Sequence, residues 1–398
     1  MRKQSAVIVL LVLMMCIVGC RKDTVKELDD KEKEELVLWS YYETDNQKLA
    51  LDELIEGFNQ SQDTYHMSWE YQGPVTAFTK RLSIGVTQGQ LPDVVIMDNP
   101  DMRKFVELGT FADITEHMDK VQNLELYYEN VLSSVVYDGK YYGLPFCCNN
   151  TGLIYNKEQL EENGLKVPTN WDELMEVGKA LSNGEGTGYA MSAVEGEQSA
   201  FQILSFILSA GGSVETLGDE ATWETYEYID RLIDEGVMSR ECINWSQNDL
   251  AKAFVEGKCV MMQNGPWVLP LLNESEVSYG IAPLPIKEKY VGVTGGENLG
   301  VIKGKNVEGA VAFLNYYSGD EEMLNTALRA NSMPPRKDLA EEMARIRPEY
   351  EIFVEQMDDC ISRSAYGEWP KVTGTLSNTL YQVIAQEASP QEAIENFR

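Results

Sequence analysis

The sequence is poor in histidine and in positive charge. Only His66 and His117 occur among 398 residues, too few for a histidine-rich metal centre and scant material for a Ser-His-Asp triad. Lys and Arg total 33 against 64 Asp and Glu, a formal net charge of −31. Such a deficit of cations excludes a general nucleic-acid binder, which needs a basic face for phosphates, and excludes charge-driven adhesion to anionic lipid. An acidic surface instead keeps an exported protein soluble. H-E-x-x-H, G-x-S-x-G, C-x-x-C and Walker sequences are absent. The glycine-rich stretch from Gly184 to Gly188 follows a helical pattern rather than a strand, and reads as a turn. Five cysteines follow Cys20, at 147, 148, 242, 259 and 360, with neither zinc-site spacing nor the density of a disulfide scaffold. Adjacent Cys147 and Cys148 hold their Cα atoms only about 3.8 Å apart, so a bond between them is strained and buried free thiols are expected.

Apolar residues make up 43% of the chain, enough for a large core, and the length suggests two or three domains. The first twenty residues stand apart. Arg2 and Lys3 precede an uncharged apolar run, Ala6 to Val18, which is too short for a comfortable membrane span. It ends Ile17-Val18-Gly19-Cys20, which resembles a bacterial lipobox. The resemblance implies a signal peptide over 1–19, cleavage before Cys20 and lipidation of its thiol; the competing reading is an uncleaved anchor. Two acyl chains would hold firmly. Residues 20–35, mostly charged or polar, read as a flexible tether, and no later apolar run reaches membrane length.

Beyond the tether, strands and helices alternate. Glu35 to Trp39 reads as a buried strand; Leu51, Leu54, Ile55 and Phe58 mark one helical face. Tyr65 to Tyr71 is a second strand, Val75, Phe78, Leu82 and Val86 a second helix, and Pro92 to Asp98 a third strand. This βαβ pattern predicts a parallel sheet, whose ligands bind beyond the carboxyl ends of the strands, where Tyr41 to Glu43 and Asp98 lie. Near residue 150 a second unit begins with a strand at 152–155, helices capped by Asn156 and Asn170, and further helices over about 199–210, 219–236 and 247–256. Lys258 to Gln263, 279–282 and 297–302 read as strands, and the chain beyond 306 as mostly helical.

Several motifs then fall in one order. They are Leu36 to Trp39, Leu91-Pro-Asp-Val-Val-Ile-Met-Asp98, Phe105 to Ile114, Tyr142 to Pro145 with Leu153-Ile-Tyr-Asn156, Pro168 to Leu174, and Ala253 to Lys258 followed by Asn264-Gly-Pro-Trp267. Together they resemble the bacterial extracellular solute-binding proteins of family 1, the maltose-binding-like receptors of ABC importers. The resemblance implies an α/β, two-lobed periplasmic-binding-protein-like fold with a ligand cleft between lobes. It implies crossings near 146–150, 278–283 and 332–336, an N-lobe of 36–146 with 284–331, and a C-lobe of 150–277 with 337–398.

Sugar recognition needs flat aromatic surfaces for C–H faces and planar polar groups for hydroxyls. Trp267 follows Gly265-Pro266 at a strand end and matches the family's stacking tryptophan; its alternative is core packing. Asp98 matches a cleft position or caps the next segment. Tyr41, Tyr42 and Glu43 contact ligand or cap the following helix. Asn149 falls at the first crossing, where some relatives carry an acid. Glu197 lies in a loop before a helix, Gly296 lets backbone approach ligand, and Trp369 is a late aromatic of the second lobe. Arg336 is a hinge salt bridge or a ligand contact.

The expected function is a lipid-anchored receptor outside the cytoplasmic membrane. It captures a carbohydrate by lobe closure and passes it to ABC importer permease subunits. It is expected to act as a monomer with no cofactor, no metal, no nucleic acid and no catalysis. Two alternatives stand: a secreted glycoside hydrolase, since acids abound, and the same fold binding a polyol or glycerol phosphate. A phosphate ligand should want an arginine or a bare helix N-terminus in the cleft. The candidate positions are acidic, amide or aromatic, which favours a neutral sugar.

Overall fold

The computed structural model describes residues 33–184, 186–365 and 369–397. The signal peptide, lipidation at Cys20 and nearly all of the tether therefore fall outside the described residues. Two sheets organise the chain. The first has five strands in the spatial order Tyr65–Tyr71, Glu34–Ser40, Val94–Asp98, Glu297–Val301 and Gly143–Pro145. The first three run parallel, and Glu297–Val301 is antiparallel to both of its neighbours. The second orders Tyr279–Ala282, Gly152–Asn156, Cys259–Asn264 and Thr187–Ala190.

Local sequence explains these elements. Helix Asp45–Ser61 buries Leu51, Leu54, Ile55 and Phe58, the apolar face of the pattern, and starts with a Thr44/Gln47 capping box. That box removes the capping alternative for Tyr41, Tyr42 and Glu43. Asn156 and Asn170 accept from the backbone N–H groups of Gln159 and Glu173 and open helices Lys157–Glu162 and Trp171–Leu181. Gly188 has no room for a side chain, since a Cβ there would lie 2.1 Å from the Gly178 carbonyl oxygen. The glycine-rich turn thus seats its strand tightly on the preceding helix.

Each sheet has its own core. One gathers Leu36, Leu54, Phe58, Val95, Phe105 and Phe313; the other gathers Leu153, Trp171, Phe206, Tyr228, Met261 and Leu380. All five described cysteines are free and buried. Cys147 and Cys148 face different partners, Glu297 Oε2 at 2.5 Å and the Pro334 carbonyl at 3.3 Å.

Between the sheets, strands run side by side. Cys148 bridges Met333, and Asn149 exchanges backbone hydrogen bonds with Gly295 at 3.1 and 2.8 Å. The crossing expected at 278–283 is displaced. Residues 279–282 complete the second sheet, and Gly292–Thr294 pairs in parallel with Cys360–Ser362. Leu284 and Val293 also pack in the second core, so the chain passes over at Gly295-Gly296. Gly296 has φ +123°, and a Cβ there would lie 2.2 Å from the Cys147 carbonyl oxygen. Only glycine lets these two crossing segments touch.

Candidate functional site

The register of the first sheet brings the candidate residues to one rim. Ser40 pairs with Tyr71 and Trp39 with Val95, so the first two strands end together and the third runs two residues further to Asp98, which lies directly opposite Glu297. Asp98 and Glu297 are therefore cross-strand carboxylates, an arrangement that repels when both are ionised. Burial pushes the Asp98 carboxyl up, to about 7; the Arg363 guanidinium pulls it down, while Asp101 and Glu297 add to the rise. The Asp98 side chain nonetheless keeps 22% of its surface open to solvent. Burial likewise raises Glu297, against the pull of hydrogen bonds from Cys147 and Tyr41. The Tyr41 hydroxyl donates to Glu297 Oε1 at 2.9 Å.

Arg363 is the centre of the site, and the sequence reading missed it. It follows strand Cys360–Ser362 and is 4% exposed. Its Nε donates to the Thr294 carbonyl at 3.1 Å, its Nη1 to Glu197 Oε1, and its Nη2 to Asn99 Oδ1 at 3.5 Å. Nη2 also lies 3.7 Å from Asp98 Oδ1. The guanidinium sits over the Phe201 ring, 4.4 Å from its centroid, and 5.9 Å from that of Trp369. Burial lowers its pKa, and Asp98 and Asp101 oppose that shift.

Glu197 begins helix Glu197–Ser209. Besides Arg363 it accepts from Trp369 Nε1 at 2.9 Å and from the Thr373 hydroxyl at 2.7 Å. The structure thus joins Asp98, Glu197 and Trp369 through one arginine. Asn149 and Gly296 lie beside them: Gly295 sits under both Asn149 and Arg363, and the Gly296 carbonyl accepts from the Asn99 N–H at 2.9 Å.

Trp267 follows strand Cys259–Asn264 and is half-buried, its indole lying across Gly265 and 6.3 Å from Phe201. Phe201 therefore lies beside both Trp267 and Arg363. Three of the expected contacts, Tyr41, Tyr42 and Trp369, are buried core side chains here. Tyr42 is 1% exposed, with its hydroxyl 3.8 Å from Cys147 Sγ, and Trp369 is 1% exposed with its N–H committed to Glu197. Glu43 is exposed at the outer rim and accepts from the Tyr71 hydroxyl at 3.4 Å. Arg336 is a structural ion pair, fully buried and bonded at 2.6 Å to both Asp320 and Asp338.

A separate groove of about 580 Å³ is lined by Asn46, Glu53, Tyr316, Glu322, Arg329 and Arg347. Within it Glu53 pairs with Arg329 at 2.9 Å and Arg347 donates to Asn331 at 2.7 Å. None of the candidate residues line it. The convergence of crossing strands, carboxylates and aromatic rings places the candidate site at Arg363 instead. Among the described residues no cluster of His, Cys, Asp and Glu could hold a metal ion, and no helix is long and apolar enough to cross a membrane.

Comparison with known proteins identifies the fold and family. The chain is 26% identical over 327 residues to a multiple sugar-binding protein of Streptococcus mutans, covering 75% of this chain and 74% of that one. A Thermotoga lettingae ABC transporter solute-binding protein bound to α-D-tagatose superposes with a TM-score of 0.81 at 20% identity, over 91% of this chain and 97% of that one. A Mycobacterium tuberculosis protein in complex with glycerophosphocholine gives a TM-score of 0.81 at 17% identity, over 92% and 96%. These likenesses show the two-lobed α/β fold of periplasmic binding proteins. The family model for bacterial extracellular solute-binding proteins matches residues 53–350, and the chain belongs to that family.

Proposed function

We propose that the protein is the carbohydrate-binding component of an ABC importer. It is anchored outside the cytoplasmic membrane through lipid on Cys20, and it delivers its ligand to permease subunits without chemistry. The lobes of this reading are the five-stranded sheet with its core and the four-stranded sheet with its core. Ligand sits where Asp98, Asn149, Glu197 and Trp267 approach one another.

One observation carries the choice of ligand. The arginine in the site is already committed to Glu197, Asp98, Asn99 and the Thr294 carbonyl. Asp98, Glu197 and Glu297 outnumber it. A phosphate would meet a guanidinium already paired with Glu197, so the presence of Arg363 does not favour glycerol phosphate. Neutral hydroxyls suit the carboxylate and amide groups, and Trp267 beside Phe201 offers aromatic surface for a ring face. Among the described residues, the Thr294, Ser362 and Ser364 hydroxyls beside Arg363 are buried without a protein partner. The matched relative from Streptococcus mutans, named as a sugar binder, supports the same reading.

Isothermal titration of the full chain against mono- and oligosaccharides tests this, with glycerophosphocholine and a polyol in parallel. Saturable binding of a neutral sugar is the expected result. Binding of the phosphodiester alone, or release of reducing sugar, overturns it.

A further inference from the structure

We infer that Arg363 is a positioning residue that ties the two lobes together at Asp98. The contacts around it are unequal in a telling way. On one side Arg363 is fixed: its Nε bonds Thr294, its Nη1 bonds Glu197, and its guanidinium plane rests on Phe201. Thr294 lies in the strand paired with Cys360–Ser362, and Phe201 belongs to the core of the four-stranded sheet. On the other side the same guanidinium reaches Asp98 and Asn99 at 3.7 and 3.5 Å. Asp98 ends a strand of the five-stranded sheet, and Asn99 opens the turn that follows it. A rigid fork held by three partners in one lobe therefore presents its remaining donors to a carboxylate in the other.

Asp98 is the member that can respond. Its side chain is open enough to meet a ligand, and its carboxylate lies 3.7 Å from the Arg363 guanidinium. Separating the lobes would leave Arg363 with Glu197 and strip Asp98 of its cation. A ligand hydroxyl bonded to Asp98 would act on the same pair, so the contact couples ligand to closure, provided that the sugar-binding reading holds. The tie itself needs no ligand, which allows it to be tested apart from that reading.

The experiment is a ligand-free distance measurement by electron–electron resonance on the full chain, with spin labels at Val75→Cys and Glu195→Cys. Both positions are exposed, one on each lobe, and the native cysteines after residue 33 are buried. The parent protein should give one narrow distribution. Arg363→Gln and Asp98→Asn should each lengthen and broaden it, and Arg363→Lys should restore most of the parent distribution. Asp98→Asn is the decisive variant, because it leaves every contact of Arg363 with Glu197, Thr294 and Phe201 in place. Thermal melts confirm that each variant is folded. Identical distributions in parent and variants, or a change with Arg363→Gln alone, would overturn the inference. Loss of sugar binding with the expected distances would overturn only the ligand reading.

Discussion

Glu197 offers the sharpest test of how the site is held together. Its carboxylate accepts from a buried guanidinium, a buried indole N–H and a threonine hydroxyl. Glu197→Ala strands all three donors. The charged partner weighs most: removing one member of a buried pair costs about 3–5 kcal/mol, and each neutral hydrogen bond adds about 1. The Glu197 side chain is 30% exposed, so water refills part of the space and lowers the sum to about 3 kcal/mol. Glu197→Gln separates the contributions. Trp369 and Thr373 both use Oε2, and an amide oxygen there keeps both bonds while an NH2 group faces Arg363. The glutamine variant should therefore recover about 1–2 kcal/mol of the alanine loss. Urea unfolding of the ligand-free chain, followed by tryptophan fluorescence, measures both. A protein with two cores can unfold in more than one step, so the shift belongs to the transition in which Trp369 is exposed. If both variants unfold within about 0.5 kcal/mol of wild type, the cluster is solvated surface and the account of the site is wrong.

The remaining predictions are shorter. Gly296→Ala should destabilise by several kcal/mol or abolish soluble expression, because the new Cβ meets the Cys147 carbonyl oxygen at 2.2 Å and the left-handed φ adds strain; a normal melting temperature would contradict this. Trp267→Ala should lower sugar affinity at least about tenfold while leaving the fold intact, since its indole is half-buried at the site; titration calorimetry with circular dichroism decides it. The Asp98 carboxyl is raised in the folded state, so the fold holds its proton more tightly than the unfolded chain does. That contribution to stability is fully present below an unfolded value of about 4 and is lost as pH rises through about 7. Asp98→Asn should flatten the slope of stability against pH across that window, and an unchanged slope would assign it to another group. Tyr41→Phe removes one of the two side-chain donors to Glu297 and should raise the Glu297 pKa further, a shift readable by carboxyl-resolved infrared or NMR titration.

How far a sequence reveals its fold depends on how local the determining contacts are. Glu34–Ser40 and Val94–Asp98 are legible because central strands bury their interiors and need continuous apolar runs. Helix Asp45–Ser61 is legible because one face is buried at helical spacing. Gly292–Thr294 and Cys360–Ser362 are not: three residues set no period, and each strand exists only because the other lies beside it. The misplaced crossing has the same origin. Tyr279–Ala282 carries the pattern of a strand, but nothing local says whether the following residues stay with that sheet, and Leu284 and Val293 do so by packing into its core.

The two buried arginines sharpen the point. Arg336 pairs with Asp320 and Asp338, which lie 16 and 2 residues away and stay partly open to solvent. That arrangement fits a hinge ion pair and was among the readings the sequence allowed. Arg363 has partners 166 and 264 residues away, and its neighbours Ser362 and Ser364 carry no charge. In a chain with 64 acids, the presence of a carboxylate partner is certain and its identity invisible. Only folding decides that this cation meets Glu197 from one lobe and Asp98 from the other. An arginine in a site thus says little about its ligand until the groups already occupying its donors are known.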